Sequence, residues 1–312
     1  MTTLAQLGSV RGLPIVMAVI AAGLWGVWWL PIRFLEGVGL VGVWAGLSMN
    51  LGALPILALA VMLVRSNDRL TRQAIAGAAL VGLAITFYAS ALTFTDVVRA
   101  VLLFYLAPAW STAIECLFLG RRWTWRSTLA LGLSLAGVIV MFRGDISIAA
   151  LNVGDMMALA SGLSWAVGAA LVFTAPPADA RHLGLVTCLS AIVVGSGLLL
   201  IAGDAAGGLV PDLEALRVAG LSLASGLVYL APIIVFTLWA ARNLPPALFS
   251  FLLTAEIISG VVSSAIFLDE RFGWPEAIGA VLVCSGAVVE AITNSTGKPN
   301  ERPDKVEPIP SD

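Results

Sequence analysis

The sequence predicts an all-α polytopic membrane protein, with ten transmembrane helices arranged as two inverted five-helix repeats. Three observations carry that prediction. The 312-residue chain is 59% hydrophobic and only 12% charged, with a mean hydropathy of +0.98. Soluble domains carry about 25% charged residues, so charge this sparse cannot coat a water-facing surface. Charges and turn residues divide the chain into ten apolar runs of bilayer-crossing length, and the second half repeats the first at a near-constant spacing.

The same composition removes several function classes. A net charge of −2 offers no basic footprint for nucleic acid. The three cysteines, Cys116, Cys188 and Cys284, are odd in number and lie inside apolar runs, so no disulfide framework is expected. The single histidine, His182, and the lack of CxxC or HxxxH spacing argue against a metal site. Neither a metal nor another cofactor is expected.

A membrane-crossing helix needs about 20 predominantly apolar residues. The runs cover residues 13–34, 41–64, 73–94, 97–119, 125–143, 153–174, 183–203, 215–240, 246–268 and 274–293, here called spans 1 to 10. Connections of at most 11 residues leave no room for an inserted soluble domain. Span 1 is too long for a signal peptide, is preceded only by Arg11 and lacks a small-residue cleavage site, which makes it a retained helix. The chain thus reads as a cytoplasmic N-terminus (1–12), repeat 1 (13–150), repeat 2 (151–293) and a polar, Pro-rich cytoplasmic tail (294–312) expected to be disordered.

Orientation follows from Lys and Arg in the short connections. With the N-terminus inside, twelve of the 17 basic residues fall in cytoplasmic segments, among them Arg65, Arg69, Arg72, Arg121 and Arg122. Five (Arg33, Arg99, Arg143, Arg217 and Arg271) fall outside. Both termini are therefore expected in the cytoplasm, in a bacterial inner (plasma) membrane.

The repeat is visible residue by residue. Between 118–140 and 267–289, at an offset of 149, Phe118/Phe267, Leu119/Leu268, Arg122/Arg271, Trp125/Trp274, Leu133/Leu282, Gly137/Gly286 and Val140/Val289 are identical. Trp25 in AAGLWG is answered by Trp165 in ASGLSWAVG. Five spans per copy is an odd number, so the second copy enters the membrane from the opposite side. Inverted repeats mark secondary transporters, whose substrate sites lie near midplane between the halves.

Polar groups within spans are functional candidates, because burying them in hydrocarbon is costly. Glu256 stands at the centre of span 9. It is read as a proton-coupling site, as a counter-charge for a substrate ammonium, or as a structural hydrogen-bonded link from span 9 to its repeat partner. Glu115 is expected to pair with Arg121 or Arg122, and Asp155 to sit at a helix N-terminus where its charge is favourable. Prolines inside spans free a carbonyl one turn back, so Pro108 and Pro232 are read as kinks or hinges. Gly42–Gly46, Gly132 with Ala136, and Gly137/Gly286 present small-residue faces for close helix approach. Trp25, Tyr88, Tyr105, Trp110, Trp165, Tyr229 and Trp239 lie within spans, and a buried phenol needs a hydrogen-bond partner. Trp28, Trp29, Trp123 and Trp274 are placed in the interfacial belts.

The Gly-flanked tryptophans of spans 1 and 6 resemble the EamA-type ten-helix members of the drug/metabolite transporter superfamily. So do Ala107-Pro108 with their counterparts Glu256-Ile257, and the endings Phe118-Leu119-Gly120-Arg121-Arg122 and Phe267-Leu268-Asp269-Glu270-Arg271 before a tryptophan. Gly120-Arg121-Arg122 carries Arg where the family usually has Glu. Within that family the chain looks most like bacterial amino-acid exporters, the aromatic branch among them. The resemblance implies a central cavity walled by spans 1, 3, 4, 6, 8 and 9, with spans 5 and 10 outside. Trp25, Tyr88, Tyr105 and Trp165 then become the first candidates for its wall. Tyr229 and Trp239 join them as further candidates, and Asn50, Ser90, Ser164, Ser250 and Thr254 add hydrogen-bonding groups.

No Lys precedes residue 298, and Arg occurs only near span ends. Phosphorylated cargo needs cationic partners, so a neutral, zwitterionic or weakly cationic solute fits better, with protons as a further candidate partner. The expected function is export of small metabolites, amino acids foremost, and not an enzymatic one. Drug-type efflux of amphipathic or cationic compounds is the alternative. A membrane-embedded enzyme would need a cluster of catalytic polar groups, and a channel a charged ring or filter loop; neither pattern occurs in the sequence.

Overall fold

A computed structural model describes residues 4–63, 68, 70–118, 123–143, 151–211, 217, 219–244, 249, 252–253, 255–267 and 273–296. Among these, regular structure is entirely helical. Seven helical stretches are long and apolar enough to cross a membrane, and three shorter apolar helices occupy spans 5, 9 and 10. Large side chains such as Val193, Leu200, Ile201 and Phe267 point outward, as a lipid-facing surface requires.

Span 1 is two helices, α1 (Leu4–Gly26) and α2 (Trp29–Gly37). Span 2 is α3 (Val43–Leu63), which continues through Pro55, and span 3 is α4 (Arg72–Phe94). Span 4 is again divided, into α5 (Val97–Phe104) and α6 (Ala107–Phe118). Spans 5, 6 and 7 are α7 (Trp125–Met141), α8 (Val153–Thr174) and α9 (Ala180–Ala202), the last followed by a short 3₁₀ turn. Span 8 comprises α10 (Ala219–Ser225), a five-residue π segment (Gly226–Leu230) and α11 (Ala231–Asn243). Spans 9 and 10 are α12 (Ala255–Phe267) and α13 (Trp274–Thr296).

Helix α1 begins at Leu4, within the segment expected as a cytoplasmic N-terminus, and α13 runs three residues into the segment expected as tail. Residues 297–312 lie outside the described residues, as do Arg121 and Arg122; no side chain is described for Glu115.

Helix starts follow from local side chains. Thr71 accepts from the Ala74 N–H and Thr124 from the Ser127 N–H, each at 3.2 Å. Asn152 and Asp155 form a reciprocal capping box at the start of α8, satisfying two N–H groups the helix cannot. The placement of Asp155 at a helix N-terminus thus holds. Its role extends further, since it is also fully buried and ion-paired with Arg99.

The breaks have chemical causes. Pro108 has no N–H to return to the Phe104 carbonyl, and α5 ends at Phe104. Pro232 likewise cannot serve the Val228 carbonyl, and the helix widens just before it, with Ala231 N–H bonding the Gly226 carbonyl five residues back. At the α1–α2 junction the Trp28 N–H bonds Trp25 instead of Leu24.

Packing follows a two-fold relation. Spans 3–6, 3–7 and 4–6 pack together, and their repeat counterparts 8–1, 8–2 and 9–1 do the same. Spans 2–7, 4–9 and 5–10 each join a span to its own equivalent. The relation holds at single residues where α7 meets α13. A Cβ on Gly137 would come within 2.7 Å of the Gly279 carbonyl, and one on Gly286 within 2.7 Å of the Ala130 carbonyl. These are the same contact twice, since 137/286 and 130/279 both differ by 149. Gly132 departs from the expected small-residue face: a Cβ there would meet nothing within 4 Å, because this residue faces away from α13.

Gly137→Leu is therefore expected to destabilise the purified protein by about 1–3 kcal/mol, the usual cost of overpacking. Gly132→Ala should leave stability unchanged or raise it by up to about 1 kcal/mol. Thermal unfolding in detergent distinguishes the two.

Candidate functional site

The unwound junction of span 1 and the kink of span 4 bring aromatic rings together at the core. Trp25 meets Trp28 edge-to-face at 5.0 Å, and Trp28 meets Tyr88 at 6.1 Å. Tyr88 lies 4.8 Å from Phe104, which touches Tyr105 at 5.4 Å and Trp165 at 6.1 Å. Trp28 is fully buried and Trp29 is 3% exposed, so neither belongs to the interfacial belt expected for it. The chain break turns both rings inward, and the Trp29 indole N–H donates to Ser263 at 2.9 Å. Trp123 and Trp274 are exposed, as belt residues should be.

The two ends of this aromatic row, Trp25 and Trp165, both line a cavity of about 20 Å³, whose wall also includes Val81, Ile85, Thr187, Ile234, Thr237 and Leu238. That is room for roughly one water. The repeat-equivalent tryptophans, Trp25 and Trp165, both contribute to the wall. The Trp25 indole N–H donates to the Thr237 hydroxyl at 2.8 Å, joining span 1 to span 8.

Two phenols reach across the halves. Tyr229, carried by the π segment, donates to the Leu24 carbonyl at 2.6 Å. That carbonyl is the one left over at the α1–α2 junction. Tyr105 donates to the Leu253 carbonyl at 3.2 Å, and its phenol lies beside the Glu256 carboxyl. Glu256 is buried at 7% exposure, on α12 where Gly26 packs: a Cβ on Gly26 would come within 2.5 Å of the Glu256 carbonyl oxygen. The carboxyl thus touches the span that is its repeat partner, span 4.

The other sequence candidates separate. Asn50 is 1% exposed and donates to the Gly46 carbonyl of its own helix at 2.9 Å, while its backbone carbonyl accepts from the Cys188 thiol. Ser90 donates to Thr86 one turn back at 2.8 Å. Ser164 and Trp239 are half-buried and do not line the cavity. Ser250 and Thr254 lie outside the described residues. Pro108 and Pro232 stand at the two breaks already described. Sequence reasoning missed Thr187, Thr237 and Ile234, single residues inside apolar runs. Trp28 stands three residues after Trp25, but the helix break between Gly26 and Trp29 sets its direction, so that spacing was no sufficient signal.

The family model for the EamA-like transporter family matches the chain twice, over residues 12–143 and 152–290. The chain belongs to that family. The two matches coincide with the two halves related by the packing, and the protein is accordingly an integral multi-pass membrane protein of the small-molecule transporter type. Among solved structures, one described only as "Crystal structure of protein" is similar, with a TM-score of 0.55 and 17% identity over 90% of this chain and 97% of that one. At that identity the likeness bears on the fold alone. No curated protein sequence matches the chain.

Tyr229→Phe removes the only hydroxyl of that side chain and leaves the Leu24 carbonyl unpaired. The transporter should lose about 1–3 kcal/mol, the usual penalty of one buried unsatisfied group, read as a lower unfolding temperature in lipid nanodiscs.

Proposed function

We propose that the protein is a secondary exporter of small metabolites, amino acids foremost and aromatic or other neutral ones in particular. It works by alternating access around the midplane cavity between its two repeats. The observation that carries this reading is the pair of repeat-equivalent tryptophans, Trp25 and Trp165, on the wall of one cavity shared by both halves. Ligand pockets commonly enclose about 300–1,000 Å³. A cavity of about 20 Å³ must therefore widen to take cargo, and spans broken at their centres supply the places where widening disrupts the fewest helical hydrogen bonds. The surrounding rings suit an apolar or aromatic side chain; the Thr187 hydroxyl donates to the Ala78 carbonyl and the Thr237 hydroxyl accepts from Trp25, so the wall that meets the side chain is apolar. Glu256 supplies the carboxyl for a substrate ammonium or for a coupled proton. The distribution of Lys and Arg supports both termini in the cytoplasm of a bacterial inner membrane.

The same rings and carboxyl also suit amphipathic cations, which bind aromatic faces; drug-type efflux is thus the second reading. A flux panel of amino acids, sugars and cationic drugs in proteoliposomes, with and without a pH gradient, separates them. Saturable flux of neutral amino acids is expected. Flux of cationic drugs with none of the twenty amino acids would replace the first reading by the second.

Proton coupling rests on Glu256, and Gln cannot ionise. Glu256→Gln should lose the stimulation of flux by a pH gradient. Full stimulation in that variant would remove Glu256 from the coupling step.

A further inference from the structure

Under a two-fold relation, whatever closes one face of the membrane has a counterpart on the other, and here the two are chemically opposite. On the face away from the start of α1, the halves meet in a polar network. Asp155 of α8 is 0% exposed. Its carboxylate is ion-paired with Arg99 of α5 and accepts from the Thr95 hydroxyl at 2.8 Å and the Asn152 N–H at 3.0 Å. Asn152 also donates through its amide to the Thr95 hydroxyl at 3.0 Å, and Arg33 of α2 donates to the Thr95 carbonyl at 3.0 Å. The Arg99 guanidinium lies 4.4 Å over the Phe142 ring at the end of span 5. Spans 1, 4, 5 and 6 and the turn between spans 3 and 4 thus join in one network, with this carboxylate held directly by Arg99, Thr95 and Asn152.

The offset of 149 relates Thr95 to Leu244 and Arg99 to Leu248, and the Trp25/Trp165 match relates Asp155 to Ile15. Leu248 lies outside the described residues. Leu244 is buried with Ala18 and Phe249, and Ile15 packs against them. These three counterpart positions are thus apolar. An apolar cluster suffices to close one face, so packing alone does not call for a buried ion pair at the other. The two closures also open at different cost. Parting an apolar cluster exposes hydrocarbon to water in proportion to its area. Parting the ion pair returns to water the groups water solvates best.

We propose that Asp155, held by Arg99, Thr95 and Asn152, is the latch that keeps the face away from the α1 start shut, and that the Ile15–Ala18–Leu244–Phe249 cluster is the plug of the opposite face. The assignment rests on the reading of the chain as an alternating-access transporter and names the residues that must part at each face. The latch releases in the cavity-open state of its own face, while the plug remains packed.

The test uses the full chain in sealed proteoliposomes, with Cys116, Cys188 and Cys284 replaced and a single cysteine at Ala158, which is buried one turn inward of Asp155. A membrane-impermeant maleimide is applied from either face. With the latch intact, labelling from the latch face is slow. Asp155→Asn and Arg99→Gln should each raise that rate about tenfold or more, and the milder Thr95→Val, which keeps the ion pair, by a smaller factor. Leu244→Ala should leave the latch-face rate unchanged and raise labelling from the plug face. Unchanged rates in Asp155→Asn and Arg99→Gln would overturn the proposal. So would equal increases from both faces, which mark a general loosening of the fold. Labelling needs no cargo, so its failure is distinguishable from an absence of flux, which bears on the transport reading itself.

Discussion

In hydrocarbon a backbone carbonyl without a partner costs several kcal/mol, and that constraint decides where this chain can break its helices. It does so at the α1–α2 junction, between α5 and α6, and through the π segment of span 8. At the first, the freed Leu24 carbonyl takes the Tyr229 hydroxyl from span 8. At the second, the Tyr105 hydroxyl crosses to the Leu253 carbonyl of span 9. The first break thus has its freed carbonyl served by the other repeat, and the second sends a phenol to it, so both lie where the halves meet. The aromatic row runs between these two breaks.

Packing obeys the two-fold relation more closely than chemistry does. The α7–α13 contact is repeated almost atom for atom, with two glycines each laid against a carbonyl at 2.7 Å from where a Cβ would stand. The functional groups have diverged. Glu256 corresponds to Ala107, and Asp155 and Thr95 to Ile15 and Leu244. The frame is symmetric, and substitution gave its equivalent positions different side chains, the Glu256 carboxyl among them.

Much of this was legible in the sequence. Composition revealed the solvent, hydropathy placed the spans, and the 149-residue offset paired them; the starts of α7, α8 and α13 fall at the expected residues. What remained hidden was direction. Hydropathy near a span end cannot tell that the chain unwinds at residues 27–28 and turns Trp28 and Trp29 inward. Nor can it tell that Asn50 and Ser90 each donate to a carbonyl of their own helix, as short polar side chains do. The charge pattern suggested that Asp155 faces a helix N-terminus, and it does. Its pairing with Arg99, 56 residues away, depends on a fold in which spans 4 and 6 are neighbours.

The central claim is that one cavity between the repeats is reached in turn from each face. Ile234 lines that cavity and is 3% exposed. The most direct measurement is labelling of a single cysteine at Ile234 by an impermeant maleimide, applied to opposite faces of sealed vesicles. The account predicts slow labelling from both faces, with protection by any solute the protein carries. Labelling from one face only, or from neither under conditions of active flux, would contradict it.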